Sequence, residues 1–88
     1  MFLRSFKLKI KVLYFASYRE QCGKNTETFA LPKESTLADL VARVLEANIG
    51  IKCSPEAMVA AVNEEYQTHD QVLLAGDIVA LIPPVSGG

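Results

Sequence analysis

Residues 6–15 read Phe-Lys-Leu-Lys-Ile-Lys-Val-Leu-Tyr-Phe, an alternation with a period of two. Phe6, Leu8, Ile10, Val12 and Tyr14 share one phase, and Lys7, Lys9 and Lys11 the other. That period belongs to a strand buried on one face and wet on the other. It constrains the chain more than any other feature, because a strand of this kind needs a sheet to join and a layer to cover its apolar side.

The rest of the sequence supplies both. Ala16 to Asn25 is polar, with Gly23 and Asn25 as turn formers, and reads as a long loop. Thr26 to Leu31 is β-rich, with Phe29 and Leu31 in one phase, and makes a hairpin with the first strand. Pro32 ends it. Thr36 then caps a helix, and Asp39 places a carboxylate at its positive end. Leu37, Leu40, Val41, Val44 and Leu45 form one apolar stripe, and Asn48 and Gly50 stop the helix. Ser54-Pro55-Glu56 suits one helical turn with Pro55 at its first position. Met58 to Val62 is a short strand, Asn63-Glu64-Glu65 a turn, and Tyr66-Gln67 a further paired stretch. After a turn at Leu74 to Asp77, Ile78 to Ile82 is apolar at every position, the mark of a central strand.

One main helix on one face of a mixed sheet is an α+β arrangement. A right-handed crossover places the last strand parallel to the first. This is the β-grasp, or ubiquitin-like, architecture. Eighty-eight residues suffice for one domain, expected over residues 1–84, with a flexible tail at 85–88.

Composition narrows the function. Nine basic and ten acidic side chains leave a net charge of −1, with no footprint for nucleic acid and no pull toward an anionic membrane. No apolar run approaches a membrane span, and the lysines interrupt any signal-like stretch at the N-terminus. Cys22 and Cys53 match no metal or redox spacing, so no metal site is expected and free thiols in the cytoplasm are. His69 beside Asp70 reads as an exposed loop histidine rather than half of a dyad. Glu64 and Glu65 read as solvated turn residues, the three lysines as a solvated outer face, and Cys22 as structural. The chain lacks the side chains of a self-sufficient enzyme.

The information is concentrated at Ile82-Pro83-Pro84-Val85-Ser86-Gly87-Gly88. The prolines fix φ and set the direction in which the chain leaves the sheet. Val85 to Gly88 then reach about 13 Å further, and the side-chain-free tip suits a narrow channel. A C-terminal carboxylate attached to such a tail can be adenylated and then converted to a thiocarboxylate. Leu13 and Phe15 on the first strand, with Ala80 and Ile82 on the last, suggest an apolar docking patch at the tail root, although either phase of the last strand could face outward.

The segments Ile10–Ala16 with Arg19-Glu20, Val59–Asn63 and Gly76–Gly88 resemble the small, sulfur-carrier subunit of molybdopterin synthase, the MoaD type of ubiquitin-like protein. The lysine-rich start of the first strand and the extra N-terminal residues depart from that pattern. The resemblance implies that Gly88 is adenylated by a ubiquitin-activating-like adenylyltransferase that uses ATP, and then thiocarboxylated by a sulfur donor acting through it. Pro84, Val85, Ser86 and Gly87 would enter the active site of the large synthase subunit. Sulfur would pass to cyclic pyranopterin monophosphate to build the molybdopterin dithiolene. A heterotetramer is implied, and no cofactor bound by this chain. The alternatives are a ubiquitin-like protein modifier, or a sulfur carrier for thiamin or tRNA thiolation.

Overall fold

The computed structural model describes residues 7–84. Phe6, and the tail residues Val85, Ser86, Gly87 and Gly88, lie outside the described residues. Strand β1 is Lys7–Tyr14, with Leu8, Ile10, Val12 and Tyr14 buried and the three lysines exposed, as the alternation predicts. Strand β2, Thr26–Pro32, pairs with it antiparallel.

The intervening segment is not the expected loop. Ala16–Cys22 forms a short helix, α1, entered from an extended Phe15 and closed by Gly23 at φ 73°. The Gly23 N–H donates to the Arg19 carbonyl at 2.8 Å, the left-handed glycine cap. Only Tyr18 of α1 is buried. A seven-residue helix with one anchor and no side-chain cap lacks the periodicity by which helices are recognised.

Helix α2, Leu37–Ala47, buries Leu37, Leu40, Val41 and Val44, while Leu45 packs at the edge of the core. Thr36 and Asp39 form a reciprocal capping box: the Asp39 N–H donates to Thr36 Oγ1 at 3.3 Å, and the Thr36 N–H donates to Asp39 Oδ2 at 2.9 Å. Two further N–H groups of the first turn, at Leu37 and Ala38, donate to the carbonyls of Gln71 and His69. Pro55–Ala57 is one 3-10 turn with Pro55 at its start.

Strands β3 (Val59–Val62) and β4 (Glu65–Gln67) form a hairpin across a two-residue turn. Asn63 and Glu64 adopt φ 51° and 74°, the paired left-handed geometry that matches strand twist. Strand β5, Ile78–Ile82, lies in the middle of the order β2-β1-β5-β3-β4, parallel to β1 and antiparallel to β3. The inner sheet face and the stripe of α2 enclose one core, joined by Ile51, Met58 and Leu73 from the connecting segments. The architecture is the mixed-sheet α+β β-grasp, with two helices rather than one.

Candidate functional site

The outer sheet face follows from strand register. Partners across a ladder share a face, so Leu13 stands beside Ala80, and Ala80 beside Ala61. Tyr66 continues this row on β4, and Ile82 stands beside Val59 in the next. The outward phase of β5 is therefore Ile78, Ala80 and Ile82, while Val79 and Leu81 are buried.

Leu13, Phe15, Ala61, Ile78 and Ala80 line a shallow depression of about 460 Å³, with Asn63 and Glu64 as its polar lip. Three of the four docking residues expected from the sequence thus meet at one place. Ile82 sits on the same face, one row along, where β5 gives way to Pro83 and Pro84. Phe15, Ile78 and Val59 are each more than two-fifths exposed, and Tyr66 is 71% exposed. Sequence reasoning missed Val59, Ala61 and Tyr66, because β3 and β4 are too short for their phase to be read alone.

Asn63 fixes the lip. Its N–H donates to the Ile78 carbonyl at 2.8 Å, its side-chain oxygen accepts from the Ile78 N–H at 3.0 Å, and its Nδ2 donates to Asp77 Oδ1 at 2.9 Å. Asp77 Oδ2 accepts from the Leu74 N–H at 2.8 Å, closing the turn before β5. The apolar face is thereby held on a rigid hairpin and a pinned strand.

Behind β1 lies a polar network. The Tyr14 hydroxyl donates to Glu27 Oε1 at 2.8 Å, and Lys24 Nζ donates to Glu27 Oε2 at 3.0 Å. Burial and the Glu27 hydrogen bond push the Tyr14 hydroxyl well above the usual phenol range. Burial opposes ionisation of Glu27, but hydrogen bonds from Asn48, Tyr14 and Lys24 outweigh it and hold the carboxyl below the ordinary glutamate range. This cluster is fully partnered and joins strands to helix.

The other candidates take structural places. His69 is half-buried rather than exposed, with Nε2 2.7 Å from the Met58 carbonyl, and it sits in a turn. Cys22 and Cys53 are free, partly buried thiols. The Tyr18 hydroxyl donates to Cys53 Sγ at 3.3 Å, which anchors α1. Glu64 and Glu65 are exposed. Among the described residues no group of His, Cys, Asp and Glu could hold a metal ion, and no helix is long and apolar enough to cross a membrane. A second depression of about 490 Å³, between β2 and α2, is lined by charged residues such as Lys33, Glu34 and Arg43. It belongs to neither the apolar face nor the end of β5.

Comparison with known proteins bears on the family and the fold. The ThiS family matches residues 12–88. A Chlamydomonas reinhardtii protein named molybdopterin synthase sulfur carrier subunit is 41% identical, over 92% of this chain and 100% of its own length. A Pyrococcus furiosus structure named as subunit 1 of a molybdopterin converting factor superposes with a TM-score of 0.78 at 32% identity, covering 89% of this chain and 99% of that one. The fold is also that of a chain from the Helicobacter pylori complex of subunits 1 and 2 of molybdopterin-converting factor, at 23% identity and a TM-score of 0.63, covering 92% and 100%. The chain belongs to the ThiS family and, within it, is similar to the sulfur-carrier subunits of molybdopterin synthase.

Proposed function

We propose that this chain is the sulfur-carrier subunit of a molybdopterin synthase and carries sulfur as a thiocarboxylate on Gly88. The observation that carries the reading is the family match running through Pro83-Pro84-Val85-Ser86-Gly87-Gly88, together with curated relatives of that name along nearly the whole chain.

The chemistry needs little from the carrier. A carboxylate oxygen of Gly88 attacks the α-phosphorus of ATP held by an activating partner, and pyrophosphate leaves. A persulfide sulfur then adds to the acyl carbon, AMP leaves, and a second thiol cleaves the sulfur–sulfur bond to release the thiocarboxylate. Phosphate stabilisation and positioning belong to the activating enzyme. The chain binds no cofactor of its own in this scheme, and the reaction belongs to the cytoplasm. In the second half-reaction the apolar face docks on the large synthase subunit, and Pro84, Val85, Ser86 and Gly87 lead the thiocarboxylate to cyclic pyranopterin monophosphate. The name of the curated relatives and the paired subunits of the Helicobacter pylori neighbour support a large-subunit partner.

The test is intact-mass measurement after incubation with ATP, a sulfur donor and the activating enzyme. The expected product has one oxygen replaced by sulfur at the C-terminus, and a chain lacking Gly88 gives none. An unchanged mass for the full chain, or lysine-linked adducts in its place, would refute the proposal.

A further inference from the structure

The outward side chains of β1 run Lys7, Lys9, Lys11, Leu13, and Phe15 follows the strand. Alternate residues of a strand lie about 7 Å apart on one face, so the three lysines form a row that leads toward the apolar depression. No carboxylate flanks it on the sheet. Across β2 the lysines face Pro32, Ala30 and Thr28, and Ile78 stands beside Lys11 on β5. Of the nearby acids, Glu27 is engaged with Tyr14, Lys24 and Asn48, and Asp77 with Asn63 and the Leu74 N–H, while Glu64 is exposed on the lip of the depression rather than beside the lysines. Among the described residues the one ion pair is Lys24–Glu27. A chain of net charge −1 thus presents one sheet face that is locally cationic.

The stripe has no evident use within the domain. Like charges aligned along a strand are mildly destabilising. Lysines protect exposed sheet edges from pairing, but β1 lies inside the sheet, between β2 and β5. The small outward neighbours Thr28 and Ala30 leave the ammonium groups uncovered.

We infer that the stripe is the electrostatic half of the docking face. The partner surface sets a row of carboxylates alongside β1 and an apolar projection into the depression. Continuity of the lysines with Leu13 and Phe15, and the lack of aromatic side chains among them, favour an acidic protein surface over nucleic acid. The inference rests on the docking reading above and adds the partner's charge. Its effect falls on association, because charge complementarity steers encounter while apolar contact governs the lifetime of the complex.

The test is stopped-flow association of the full chain with the purified large synthase subunit, from about 20 mM to about 500 mM salt, a range over which the screening length shortens severalfold. Replacing Lys7, Lys9 and Lys11 together by Gln should slow association about tenfold or more at low salt, leave dissociation within about twofold, and converge with wild type at high salt. Circular dichroism checks the fold, and the stepwise variants Lys9→Gln and Lys11→Gln extend the series. Equal association rates at low salt would overturn the inference. So would duplex DNA binding that the triple variant loses while its association with the large subunit is unchanged. Phe15→Ser separates the two ideas: wild-type binding by that variant sinks the docking reading, whereas weakened binding at every salt concentration leaves that reading standing whatever the lysines do.

Discussion

The side-chain amide of Asn48 donates to the Tyr14 hydroxyl at 3.1 Å, tying the end of α2 to the strand whose other face carries the lysines. The same nitrogen donates to Glu27 Oε1 at 3.1 Å and to the Val44 carbonyl at 2.9 Å, and Asn48 Oδ1 accepts from Lys24 Nζ at 3.0 Å. Asn48 is buried. Asn48→Leu removes a donor that Glu27 and Tyr14 share and leaves Lys24 short of an acceptor. We expect a loss of about 2–3 kcal/mol, read as a lower urea midpoint at unchanged slope. A change below about 0.5 kcal/mol would show that the network contributes little.

Glu27 predicts an acid-limb dependence. Its folded pKa lies below the unfolded value, so the folded state prefers the ionised carboxylate. That stabilisation is fully present above the ordinary glutamate pKa of about 4.3, and is lost as pH falls through the lower folded value. Glu27→Gln should flatten this part of the stability–pH curve and lower stability at neutral pH. Denaturant titrations of both proteins across the acid range, giving superimposable slopes, would contradict it.

Two glycines separate crowding from backbone strain. A Cβ at Gly50 would stand 2.4 Å from the Gln21 carbonyl oxygen, whereas at Gly76 it meets open space but φ is +87°. Gly76→Ala should cost about 1–2 kcal/mol from the left-handed backbone. Gly50→Ala forces α1 away from the loop that follows α2 and should cost more, about 2–3 kcal/mol. Thermal midpoints in the reverse order would refute the assignment.

How much was legible in the sequence depended on how locally each feature is encoded. The phases of β1 and α2 come from residues adjacent in the chain, so periodicity showed them, and the central place of β5 followed from its unbroken apolar run. Asn48 announced a helix end but not its bonds to Tyr14, Glu27 and Lys24, which meet only after folding. Helix α1 was invisible because Tyr18 alone is buried, and its anchor, Cys53, lies 35 residues away. The outward phase of β5 needed its register with Leu13 and Ala61.

Phe15 offers the sharpest division between stability and function. It is 42% exposed and occupies the N-cap of α1 at φ −122° and ψ 153°, with no side-chain cap. Serine suits that backbone, and its hydroxyl can accept from the first-turn N–H groups, a gain of about 0.5–1 kcal/mol. Exposing the covered half of the ring costs about the same, since full burial of a phenylalanine is worth about 1.5–3 kcal/mol. Phe15→Ser should therefore shift stability by no more than about 1 kcal/mol. If the depression receives the partner, the same change removes its aromatic wall, and binding to the large subunit should weaken about 10- to 100-fold. Calorimetric titration beside a denaturant curve checks both halves. A stability loss above about 2 kcal/mol with undiminished binding would make Phe15 a core residue and not a docking one.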